Sequence, residues 1–130
     1  MHTKFLLCVL LVVFAFVPAA WSGVVTFTNS GSISIPDSGI ASPYPSTITV
    51  SGVTGTVQQV TVSLLGMSHT YPVDLDILLV GPTGASVILM NDIGGGYDIN
   101  SVNLTFDDAA ANSLPIGSQI TTGTYKPTSN

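Results

Sequence analysis

Charge is what this chain has least of. Its 130 residues hold seven aspartates and two lysines, with no glutamate and no arginine. Cysteine and tryptophan occur once each, as Cys8 and Trp21. Both lie in the first 22 residues, which read as a leader and not as part of a fold. Met1-His2-Thr3-Lys4 is a short basic start, and Phe5 to Val17 is an apolar run of 13 residues, too short for a comfortable membrane span. Ala20-Trp21-Ser22 then puts small residues at −3 and −1 of a cleavage site before Gly23. That is the pattern of a secretory signal peptide, so residues 1–22 are assigned to it and the product is expected to be secreted or held at a cell surface.

Cleavage removes His2, Lys4, Cys8 and Trp21 together. Residues 23–130 then hold no cysteine, so no disulfide forms although the route leads to a disulfide-permissive compartment. Lys126 remains against seven aspartates, giving 1 − 7 = −6. That balance argues against nucleic acid and against anionic membrane surfaces as partners. No membrane association is expected once the leader is gone. Long amphipathic helical patterns, fixed-period repeats and low-complexity linkers are also lacking.

What is present is Ser, Thr, Val, Gly and Ile, a composition of β-proteins. Residues 23–130 suffice for one small domain and not for two. Alternation predicts strands over 24–28, 32–35, 46–51, 57–65, 75–80, 86–90 and 102–106. Ile48, Val50, Val60, Val62 and Leu64 are expected to face inward. Leu75 to Val80 is the most apolar strand and reads as central, and Gly81 to Ala85 is a tight turn into the next strand. Pro36 to Pro45 carries three prolines and is a loop. Asn91 to Asn100 is a polar loop around Gly94-Gly95-Gly96, Asp107 to Asn112 could form one helical turn, and the tail from Leu114 is turn-rich. The fold class is all-β, an antiparallel sandwich.

The most informative stretch runs from Ser68 to Gly84. A polar, aromatic lead-in, His69-Thr70-Tyr71-Pro72, meets a strand with Asp74 and Asp76, closed by Gly81-Pro82-Thr83-Gly84. Period-2 geometry puts the two carboxylates on one face, opposite Leu75 and Ile77. Such a pair either holds a hard cation or keeps a sheet face wet.

The stretch resembles the P domain (P/Homo B domain) of the subtilisin-like proprotein convertases, the furin and kexin group, and of their bacterial relatives. The resemblance is carried by His69-Thr70-Tyr71, by Asp74-Leu75 through Leu79, and by Pro82-Thr83-Gly84-Ala85. Ile35-Pro36-Asp37, Ile48-Thr49-Val50-Ser51-Gly52 and Leu104-Thr105-Phe106-Asp107-Asp108 extend it over roughly residues 33 to 125. It implies a jelly-roll-type β-sandwich over 23–130 that is incomplete at the C-terminus, because the family continues into further strands, one with a tryptophan. It further implies a non-catalytic module that packs on a subtilisin-like protease catalytic domain and supports its folding, stability and calcium dependence. A sandwich without its last strands is expected to be marginally stable.

Several P domains bind Ca2+, so the aspartates are candidate metal ligands: Asp74, Asp76 and Asp107 first, then Asp92 and Asp98 beside the glycine loop. Calcium takes six to eight oxygens from carboxylates and carbonyls, and glycines let carbonyls turn toward an ion. The spacing is not that of an EF-hand, and aspartates also cap turns; both readings stand. His69, the only histidine after cleavage, lacks any nucleophile context such as Gly-x-Ser-x-Gly, so it reads as a structural residue and no catalytic residue is assigned. Without a second histidine or a cysteine, a histidine-based zinc site is not expected. Tyr44, Tyr71, Tyr97 and Tyr125 could form a sugar platform or sit at the core edge. The alternative function is therefore a calcium-dependent cell-surface adhesion or carbohydrate-binding module. Asn103-Leu104-Thr105 is a glycosylation sequon, relevant only in a eukaryotic secretory pathway.

Overall fold

The computed structural model describes residues 23–130; the leader assignment and Cys8 fall outside the described residues. The chain forms β1 (Val62–His69), a 3-10 turn (Pro72–Asp74), β2 (Ile77–Val80), β3 (Ser86–Asn91), β4 (Ile99–Phe106), β5 (Gly123–Tyr125) and β6 (Thr128–Ser129). Two three-stranded sheets result, in the orders β1-β4-β5 and β2-β3-β6. The fold is all-β and consistent with a sandwich, as the composition implied.

The pairing departs from a purely antiparallel sandwich. β1 with β4 and β2 with β3 are antiparallel, whereas β4 with β5 and β3 with β6 are parallel. The tail read as turn-rich supplies both parallel strands. These are too short to show an alternation, and they exist because β3 and β4 offer them an open edge.

β4 shows how sequence becomes core. Val102, Leu104 and Phe106 alternate with polar residues, and all three are buried. On the outer face, the Thr105 and Ser63 hydroxyls bond each other at 2.9 Å across the pair with β1. Asn103 also points outward, where its Oδ1 accepts the Gly66 N–H at 2.8 Å. That bond fills a gap in the ladder: the β1–β4 register shifts between Leu64 and Met67, and Gly66 takes φ 66° there. A left-handed residue in a strand pair is a bulge, and glycine adopts it without steric cost.

β3 breaks alternation for the same kind of reason. Its register with β2 shifts between Ile77↔Met90 and Leu78↔Ile88, leaving Leu89 as the extra residue. Leu89 and Met90 are therefore both buried although they are consecutive. The rest of the core comes from Met67, Leu75, Ile99 and three loop residues, Ile93, Leu114 and Ile120. Ile93 is fully buried inside the stretch that reads as a polar loop. The glycines explain it. Gly94 has φ 89°, and a Cβ there would lie 2.6 Å from Ile120 Cδ1 and 3.0 Å from Pro72 Cβ. The backbone thus packs directly between two apolar side chains and carries Ile93 inward.

Other expectations fail for want of neighbours. The most apolar segment is not central: β2 is an edge strand, and β3 and β4 are the middle ones. Among the described residues before Val62 there is one isolated bridge, Ser34 to Ser42, and no named strand. The predicted strands at 24–28, 32–35 and 46–51 are absent as such, and the 57–65 strand begins only at Val62. Ile48, Val50 and Val60 are exposed, whereas Val62 and Leu64 pack against the core. Alternation supplied an apolar face, but no second strand lies alongside to take the backbone bonds. Residues 107–110 form a single turn closed by Ala110 N–H to the Asp107 carbonyl at 3.0 Å.

Candidate functional site

The lead-in to β2 is built around His69. The bulge between Met67 and His69 ends β1 and turns the chain into Thr70 and Tyr71. The Tyr71 N–H lies 3.1 Å from His69 Nδ1, and the Tyr71 carbonyl lies 2.9 Å from the same nitrogen. A side-chain acceptor two residues before a backbone N–H is the geometry that Asp and Asn use to make a turn. Here the imidazole performs it. His69 Nε2 is shielded from solvent and has no hydrogen-bond partner among the described residues. With one ring nitrogen committed to the turn and the other enclosed, the ring positions backbone, in keeping with the structural reading of this histidine.

The turn delivers Pro72 into the core and begins the 3-10 segment. Asp74 closes that segment, with its N–H on the Tyr71 carbonyl at 3.0 Å. Asp74 and Asp76 therefore do not share a strand face, because the strand starts only at Ile77. The Pro72 ring and the buried Leu75 impose the turn, a constraint that local alternation does not contain.

The aspartates take separate posts. The Asp76 carboxylate accepts from the Asn91 side-chain amide, whose oxygen in turn accepts the Ser129 hydroxyl at 3.0 Å. This network ties the start of β2 to the end of β3 and to β6. Asp107 Oδ1 accepts the Ala109 N–H at 2.8 Å and Gln59 Nε2 at 2.6 Å. Asp92 adopts φ 55°, a left-handed conformation that Asp tolerates. The Asp98 backbone carbonyl accepts from the Gln119 side chain. Among the described residues, no three His, Cys, Asp or Glu side chains come together as a metal-holding group. Asp74, Asp76 and Asp107 are thus not one cluster. Asp76 and Asp107 each accept from a side-chain amide, of Asn91 and of Gln59.

Two tyrosines flank the glycine loop. A Cβ on Gly96 would lie 3.4 Å from the Tyr71 ring, and one on Gly95 would lie 3.5 Å from the Tyr97 ring. Both rings are about half exposed. Tyr125 is different: its hydroxyl donates to the Thr121 carbonyl at 3.0 Å, and its ring crosses Gly123. The first pair is available to a ligand, while Tyr125 is a structural corner.

Sequence reasoning missed a groove of about 490 Å³ between the residues leading into β1 and the β2–β3 hairpin. Val57, Val60 and Val62 form one wall, Leu79, Val87 and Leu89 the other, and Phe106 lies between them. The exposed valines of the 57–61 stretch were its only trace in the sequence.

With that geometry in hand, similarity to known proteins can be weighed. No family model matches the chain, and no solved structure matches it. A stretch of 73 residues is 41% identical to part of "Leupeptin-inactivating enzyme 1" of Streptomyces exfoliatus. The stretch covers 56% of this chain and 16% of that protein. The matched stretch thus spans a minor part of that much longer protein's length.

Proposed function

We propose that this chain is a secreted, non-catalytic module of P/Homo B type that serves a subtilisin-like serine endopeptidase domain, supporting its folding, stability and calcium dependence. The observation that supports the reading is the 41% identity of a 73-residue stretch to 16% of a much longer protein named as an enzyme. The His-Thr-Tyr-Pro turn adds to it, since His69 acts there on backbone and not on a nucleophile. Calcium belongs to the same proposal. The Asp76 carboxylate and the neighbouring Asn91 amide are of the ligand types calcium takes, and an ion at Asp76 would sit where the start of β2 meets the end of β3.

The test is to refold a subtilisin-like catalytic domain with and without the full chain, in calcium and in chelator. Recovered peptidase activity and the thermal midpoint of the protease are the readouts. Both should rise with the chain and more so in calcium, while the chain alone cleaves no peptide substrate. Unchanged recovery and midpoint would sink the accessory role; cleavage by the chain itself would overturn its non-catalytic character.

A second reading is favoured by Tyr71 and Tyr97, two exposed rings beside a backbone of glycines. Such a surface suits stacking on a neutral sugar, in a calcium-dependent adhesion or carbohydrate-binding module. Neutral oligosaccharide binding abolished by Tyr97→Ala would establish it in place of the accessory role.

A further inference from the structure

We draw no further inference here: the strongest candidate, the exposed aliphatic patch of Leu78, Val80 and Ile88 on the outer face of the β2–β3 hairpin, carries none because nothing in the structure shows what covers it.

Discussion

Replacing Gly94 by alanine should be among the most damaging single-methyl changes in the molecule. Two costs combine. Gly94 has φ 89°, where an L-residue is strained, a cost of about 1–3 kcal/mol. The new Cβ would lie 2.6 Å from Ile120 Cδ1 and 3.0 Å from both Ile120 Cγ1 and Pro72 Cβ. Ile120 is 1% exposed and Pro72 is fully buried, so neither side chain can swing into solvent. Overpacking of this kind costs about 1–3 kcal/mol more. The sum, about 2–6 kcal/mol, is a large share of the roughly 5–15 kcal/mol that stabilises a typical domain. At about 4–8 °C per kcal/mol, the thermal midpoint of Gly94→Ala should fall by at least about 8 °C.

Two further variants separate the terms. Gly52→Ala has the same kind of positive φ, 72°, but nothing within 4 Å of the new methyl, so it should show the backbone cost alone. Ile120→Val removes the Cδ1 atom and should cost about 0.5–1.5 kcal/mol alone. Combined with Gly94→Ala it should cost less than the sum, because the closest contact is gone. Thermal unfolding of the parent and these four variants is sufficient. A Gly94→Ala midpoint within a few degrees of the parent, or strict additivity with Ile120→Val, would refute the packing argument.

Three other substitutions probe the site. His69→Asn should melt above His69→Ala by a few degrees, since the carboxamide can still accept the Tyr71 N–H, a bond worth about 1 kcal/mol; equal midpoints would remove the turn role of the imidazole. Tyr125→Phe should lose about 1 kcal/mol, the net value of the hydroxyl's bond to the Thr121 carbonyl, with the circular-dichroism spectrum unchanged; an unchanged midpoint would make that corner decorative. Calcium at 100 times its dissociation constant should add about 2.7 kcal/mol to the parent chain and nothing to Asp76→Asn. Equal responses of the two proteins would place any ion elsewhere.

Much of the β2–β3 and β4 region was legible because its information is local. The Gly81–Ala85 turn, the hairpin it closes and the inward face of Val102, Leu104 and Phe106 follow from turn chemistry and period 2. The reading of His69 as structural came from the lack of a nucleophile context, which does not say that Nδ1 meets the Tyr71 N–H. The metal candidates were legible as residue types only. Period 2 placed Asp74 and Asp76 on one face, but Pro72 draws the chain into a 3-10 turn first and separates them.

What the sequence alone determined, then, was class and composition: an acidic β-protein with a single cysteine, in which hydroxyls such as those of Ser63 and Thr105 face outward on β1 and β4. Tertiary structure decided which alternating segments become strands. A strand exists only where a neighbour takes its backbone bonds, so Val62–His69 pairs with β4 while residues 57–61, expected in the same strand, have no backbone partner among the described residues. The same rule made apolar Ile77–Val80 an edge, drew Ile93 and Ile120 into the core around Gly94, and opened the groove. Each of these depends on residues far apart in the chain meeting in space, and a local pattern contains no record of such a meeting.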